Sequence, residues 1–176
     1  ARLLPPAEAA GRAILLLDTE GLGAPEGEAP HRDPQLFALA ALLSSVLMYN
    51  SMGVVDDYAL QRLAQLCSLA QQLLAARAEG GGGVAEPAQQ EGLPELVWVL
   101  RDFSLQLLGA AGEPISADAY LEEELQPDAD HTADAATARR LLASLFARRG
   151  CATLPSPAAS EEALQQLAEL PPSALR

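Results

Sequence analysis

The order of its uninterrupted apolar runs constrains this chain more than any other feature. Three short runs carry no charged residue: residues 13–17, 46–49 and 96–100, each closed by polar or turn-forming residues. Runs of that length fit strands buried on both faces, as in a parallel sheet. Segments with helical spacing lie between them. Leu60, Leu63, Cys67, Ala70 and Leu74 recur at steps of three and four, which predicts a helix over 56–77. Pro34 favours the first turn of a helix over 34–44, with Asp33 placed to cap it. Asn50, Ser51 and Gly53 are read as the turn that closes the second strand. Further helices are predicted over 116–125, capped by Ser116, over 132–146 and over 160–170, with a fourth strand at 151–154. Residues 78–92, rich in Gly, Glu and Gln, are read as a flexible loop. Strands alternating with helices predict an α/β fold, a mostly parallel sheet with helices on both faces.

Composition narrows the function classes. With 176 residues, 49% hydrophobic and 20% charged, the chain is long and apolar enough for one globular domain. A net charge of -13 argues against binding a nucleic-acid backbone and against docking of this segment on an anionic membrane. Cys67 and Cys151 stand far apart without partners at metal spacing, so a reducing, cytoplasmic setting is expected. The most apolar stretch, 36–49, is shorter than the roughly 20 residues of a membrane span. No secretory signal is visible, and the start at Ala1, in what reads as a loop, suggests a fragment of a longer chain. All 11 basic residues are Arg, and there is no Lys.

Ligands of open α/β sheets bind beyond the carboxyl ends of the strands. Asp18 and Asp102 both follow predicted strands there. Asp18-Thr19-Glu20-Gly21 has the form D-x-x-G, in which the Asp of nucleotide hydrolases holds Mg²⁺ and the Gly brings a bare backbone N–H to the terminal phosphate. Alone the pattern is weak, since about one Asp in fourteen has a Gly three places later by chance. The plain alternative is a strand ending in a polar turn. At the end of the third run, the Asp102 carboxylate can accept from both N1–H and the N2 amino group of guanine, a donor pair adenine lacks. The plain alternative there is an Arg101–Asp102 ion pair on a solvated rim.

Ordered together, these segments carry a family resemblance. Leu16-Leu17-Asp18-Thr19-Glu20-Gly21-Leu22-Gly23 resembles the switch II signature of the guanylate-binding proteins, interferon-inducible large GTPases of the dynamin superfamily. Phe37-Ala38-Leu39-Ala40, Leu42-Leu43-Ser44-Ser45 and Tyr49-Asn50-Ser51-Met52-Gly53 continue it in order. Val97-Trp98-Val99-Leu100-Arg101-Asp102-Phe103-Ser104-Leu105 resembles that family's guanine-recognition segment, and Ala117-Asp118-Ala119-Tyr120-Leu121-Glu122 the helix after it.

The resemblance implies a partial P-loop GTPase-type three-layer fold over residues 1–154, with 155–176 as an altered guanine cap and its following helix. It implies GTP or GDP and Mg²⁺ as cofactors, homodimerisation through the complete GTPase domain, and by reputation a part in innate immunity. Asp18 would hold Mg²⁺ through water. Thr19, Glu20, Gly21 and Leu22 would line the phosphate side, with Glu20 in the polar network around the attacking water. Arg101 and Asp102 would bracket and read the guanine. Glu122, Glu123 and Glu124 are read as a solvated helix face, Cys67 as core packing, and His31 and His131 as loop residues without partners.

The pattern also departs from the family. The phosphate loop G-x-x-x-x-G-K-[ST] is absent, and with no Lys in the sequence it cannot be hidden. The switch I Thr and the Arg that the family supplies in cis would lie upstream of residue 1. So would a central strand, between those ending at Asp18 and Tyr49. Pro155-Ser156 stands where the family carries Asp-Arg, and the C-terminal Ser173-Ala174-Leu175-Arg176 has no Cys to prenylate. The expectation is a piece of a GTPase that does not hydrolyse GTP by itself. The alternatives are a degenerate, non-catalytic interaction module and, less in keeping with the ordered motifs, an unrelated acidic scaffold.

Overall fold

A computed structural model of the chain describes residues 2–4, 14–19, 32–79, 93–171, 173 and 175. They fall into two compact units, Ala1–Leu43 with Leu66–Gly83 and Ser44–Gln65 with Val84–Arg176.

The first unit holds strands β1 (Arg2–Leu4) and β2 (Ile14–Leu16), paired antiparallel with Leu3 opposite Leu15, and helix α1 (Arg32–Leu43). The strand β1 replaces the loop expected at the start of the chain. Strand β2 forms where the first apolar run predicts it, but its burial differs. Ile14, Leu15, Leu16 and Leu17 are 50%, 56%, 45% and 44% exposed, so among the described residues neither face of β2 is closely covered, and its one neighbouring strand there is β1. Helix α1 starts two residues early, so Asp33 sits inside its first turn instead of capping it. A carboxylate there still meets the positive end of the helix dipole. Phe37, Ala38 and Ala41 make its buried face.

Helix α2 (Asp57–Glu79) contributes to both units. Asp56 caps it, accepting the Ala59 N–H at 2.7 Å. The predicted face is buried at Leu60, Leu63, Cys67 and Ala70. The helix runs to Glu79, so the start of the predicted loop 78–92 is helical; residues 80–92 lie outside the described residues.

The second unit is built on three parallel strands in the order β3 (Val46–Met52), β4 (Glu95–Arg101), β5 (Arg149–Thr153). Together with the helices this is the expected α/β, P-loop GTPase-like fold with a mostly parallel sheet. The central strand β4 buries Leu96, Trp98, Val99 and Leu100 on both faces, as its unbroken apolar run predicts. Strand β3 does not follow that rule. Val46 and Met48 are exposed while Leu47 is buried, the alternation of a strand with one face covered. It also continues through Asn50 and Ser51 to Met52, and the turn falls at Gly53, whose φ of 80° suits a residue without Cβ.

Helix α3 (Ala117–Glu124) starts at its predicted cap, Ser116, and α4 (Ala133–Leu145) one residue after its predicted start, with Thr132 as the cap. The Ser116 Oγ accepts the Ala119 N–H at 3.1 Å and the Thr132 Oγ1 the Ala135 N–H at 3.2 Å. The last predicted helix divides into α5 (Glu161–Gln165) and a 3₁₀ turn, Leu167–Glu169. Pro171 holds Leu170 in extended backbone and stops it there.

Arg139 joins the helices of this unit. It is 2% exposed, and its Nη1 reaches the Asp57 Oδ1 at 2.6 Å while its Nε reaches the Glu124 carbonyl at 2.8 Å. The start of α2, the end of α3 and the middle of α4 thus share one guanidinium. A buried cation is tolerated because its donors are satisfied.

Candidate functional site

The carboxyl ends of β3, β4 and β5 lie side by side, and the backbone there is fixed from two directions. In register, Asn50, Ser51 and Met52 stand beside Val99, Leu100 and Arg101, and Leu100 stands beside Thr153. The Gly53 N–H donates to the Arg101 carbonyl at 2.7 Å. On the other side, the Leu154 N–H donates to the Leu100 carbonyl at 2.8 Å and the Phe103 N–H to the Leu154 carbonyl at 3.0 Å. Asp102 is left between these bonds as the corner where β4 ends. It takes φ 55°, the one positive value for a non-glycine residue among those described. Asp visits this left-handed region more readily than most residues, yet at a cost of about 1 kcal/mol. An outlier held by neighbouring ladders is a reason to look for function at that residue.

Side chains support the same edge. The Trp98 Nε1–H donates to the Ser51 Oγ at 2.9 Å, and the buried indole meets Tyr49 edge-on with ring centres 5.1 Å apart. The Arg101 Nε–H donates to the Asn50 Oδ1 at 2.8 Å. Beyond the corner, Phe103 packs on Tyr120 of α3 at 5.8 Å between ring centres. The Tyr120 hydroxyl accepts the Val55 N–H at 3.2 Å, and burial pushes its pKa up. The Asp118 Oδ1 accepts the Cys151 N–H at 2.7 Å, pinning α3 to β5. A side chain at Gly150 would bring Cβ to 3.1 Å from that oxygen, so glycine permits the close approach. Burial, with Asp118 nearby, raises the Cys151 thiol to about 11.

The two residues expected to read a base are therefore adjacent, exposed and on a rigid edge. Among the described residues they do not pair with each other; Arg101 is held by Asn50 instead, so the mutual ion pair of the plain alternative is not formed. Asp18 and Thr19 are exposed and follow β2 in the first unit. An exposed carboxylate is a hard oxygen donor of the kind Mg²⁺ takes through water. No group of three or more His, Cys, Asp or Glu placed to hold a metal occurs among the described residues. Glu20, Gly21, Leu22 and His31 lie outside them.

Two expectations about charged residues change. His131 has a partner, its Nδ1 accepting the Asp128 N–H at 3.0 Å. The glutamates of α3 are not one solvated face. Glu122 pairs with the Arg149 Nη2 at 2.6 Å, and burial pushes the Glu124 carboxyl up against the opposing pull of Arg139. Cys67 is buried as expected, its thiol pushed up to about 12. Among the described residues no helix is long and apolar enough to cross a membrane. Asn50 and Ser51 were missed as site residues because polar side chains after an apolar run read as a turn. Their partners lie 51 and 47 residues away, beyond any local pattern.

Comparison with known proteins supplies the family. The model of the family described as "Guanylate-binding protein, N-terminal domain" matches residues 4–176. The chain is similar to guanylate-binding protein 3 of Mus musculus, 34% identical over 166 residues that make up 92% of this chain and 27% of that protein. Guanylate-binding protein 4 of Mus musculus is 36% identical over 93% of this chain and 26% of its own length. Guanylate-binding protein 2 of Homo sapiens is 43% identical over 64% of the chain and 19% of its own length. The chain thus spans about a quarter of the length of the first two relatives. With nearly all of its residues matched by the family's model, this chain belongs to the guanylate-binding protein family, within its N-terminal domain.

Proposed function

We propose that this chain forms the base-reading and switch portion of a GTP-binding, GTP-hydrolysing domain. The observation that carries the proposal is the Asp102 corner: an exposed carboxylate on strained backbone, fixed from both sides at the end of a buried central strand. A carboxylate so held presents two acceptor oxygens in one plane. Guanine offers N1–H and the N2 amino group at matching spacing. Adenine presents an acceptor at N1 and no amino group at C2, so it gains neither bond. Arg101, beside it, brackets the base with its guanidinium plane.

The remaining roles follow from the family. Asp18 would hold Mg²⁺ through water, and the ion when bound supplies positive charge against the phosphate oxygens. Thr19, Glu20, Gly21 and Leu22 line the phosphate side, and Glu20 helps to orient the attacking water. The groups that cradle the β- and γ-phosphates are not among these 176 residues, so these residues alone do not turn GTP over. In the complete protein the domain works in the cytoplasm and pairs with a second copy through the GTPase domain.

The test is Asp102→Asn in the full-length protein, with GDP, ADP and xanthosine diphosphate titrated calorimetrically. The amide keeps one acceptor for N1–H but sets a donor against the N2 amino group. GDP affinity should fall about 10- to 100-fold, the worth of a charged hydrogen bond replaced by a clash of donors. Xanthosine diphosphate, with oxygen at C2, should gain. Unchanged GDP affinity would refute the base-reading role. The alternative, a non-catalytic interaction module, requires instead that the wild-type protein show no preference for GDP over ADP.

A further inference from the structure

We infer that Asn50 is a positioning residue for base recognition: it holds Arg101 away from Asp102 and presets the guanidinium plane. The inference rests on the reading of Arg101 and Asp102 as the base-recognising pair.

Arg101 and Asp102 are neighbours in sequence, both are exposed, and their charges are opposite. Left to themselves they would attract, and an Arg fork matches a carboxylate well enough to take both oxygens. Those oxygens are the ones guanine needs. The geometry shows the guanidinium committed elsewhere. Asn50 stands beside Val99 in the parallel register, and Arg101 is two residues further along β4, on the same face of the sheet. The 2.8 Å bond from Arg101 Nε to Asn50 Oδ1 is therefore the diagonal contact that long side chains make across strands. Because Nε–H can only donate, the amide must present its oxygen, and its orientation is fixed by chemistry.

The choice of Nε has a consequence. Nε lies in the guanidinium plane where the group joins its stem, so a bond there fixes the plane and leaves both Nη amino groups for other acceptors. Asn50 is itself fixed, paired within the β3–β4 ladder, and its neighbour Ser51 is bonded to the buried Trp98. An exposed Arg otherwise carries rotamer freedom, part of which a base stacking on it would have to remove. Asn50 removes it beforehand and keeps the carboxylate open.

The test is a double-mutant cycle in the full-length protein, reading GDP and ADP affinity for wild type, Asn50→Ala, Arg101→Ala and the double variant. Asn50→Ala should weaken GDP about 3- to 10-fold in the wild-type background and have no effect once Arg101 is gone. Asn50→Asp, which still accepts from Nε, should restore most of the affinity. The loss in Asn50→Ala should also shrink as salt rises, because the competing Arg101–Asp102 attraction is exposed and screened. Denaturant unfolding of each variant, with midpoint and slope as in wild type, checks that the edge is still folded. Equal GDP affinity of wild type and Asn50→Ala overturns the inference alone. So does a loss of the same size in both backgrounds, or no rescue by Asn50→Asp. A wild-type protein that does not prefer GDP to ADP overturns the base-reading function, and this inference with it.

Discussion

Two strands of this chain have the same local grammar and different surroundings. Residues 14–17 and 96–100 are both unbroken apolar runs, and each is soon followed by an Asp that begins a candidate site. β4 lies between two strands, its Leu96, Trp98, Val99 and Leu100 are buried, and its end is hydrogen-bonded on both sides. β2 has one described partner, and its four leucine and isoleucine side chains through Leu17 stand about half in solvent. An apolar run therefore states a demand for cover on both faces. Whether that demand is met is a property of the rest of the fold, and no amount of local pattern reveals it. The precision of Asp102 follows from its demand being met.

The largest expected effect tests that contrast in stability. Leu100 is 0% exposed and Leu16 is 45% exposed. Leu100→Ala should cost about 2–5 kcal/mol in denaturant unfolding, a lost transfer term plus a cavity. Leu16→Ala should cost less than about 1 kcal/mol, because a large part of its surface already meets water. Similar losses at the two positions would mean that β2 is as well enclosed as β4, and the contrast would be gone.

What could be read from the sequence follows the same division. The run 96–100, the cap Ser116 and the adjacency of Arg101 to Asp102 are local, and all three were legible. Arg139 was legible in principle: it falls four residues after Ala135 and three before Leu142, on the face those buried residues define. The Asp128–His131 contact, three residues apart, also had a local signal. Asn50 and Ser51 did not, since their roles come from pairing with β4 across a 23-residue helix. Nor did the left-handed backbone of Asp102, which is imposed by Gly53 and Leu154 holding the residues around it.

A second measurement asks whether the unit that holds β2 is open throughout. Cys67 belongs to that unit and is 1% exposed, and burial pushes its thiol from 9.0 to about 12. The sign follows from proton binding. Between those values the folded protein keeps a proton that the unfolded chain has lost, so stability is full below pH 9 and falls as pH rises toward 12. The slope from this thiol is about 1.4 kcal/mol per pH unit in that window. Cys151 and Tyr120 are raised too and add slopes of the same sign, so the comparison needed is wild type against Cys67→Val. The variant should lose stability less steeply with alkali. Parallel curves would show that water reaches the thiol, and that the openness of β2 extends into its unit.

The smallest effect sets the two acids themselves against each other. Asp102 sits at φ 55°, and Asp18 is not among the residues with positive φ. Glycine adopts the left-handed region without a Cβ penalty but raises the entropy of the unfolded chain. Asp102→Gly should therefore leave stability unchanged or raise it by about 0.5 kcal/mol, while guanine preference is lost. Asp18→Gly relieves nothing and should lower stability by a similar amount. Gly53 is the control for the same conformation. At φ 80° a new Cβ would meet no atom within 4 Å, so the cost of Gly53→Ala, about 1 kcal/mol, is backbone strain alone. If Asp102→Gly instead destabilises by 1 kcal/mol or more, its carboxylate stabilises the folded edge. The strain would then be a structural necessity, and the argument that it marks a binding function would lose its footing.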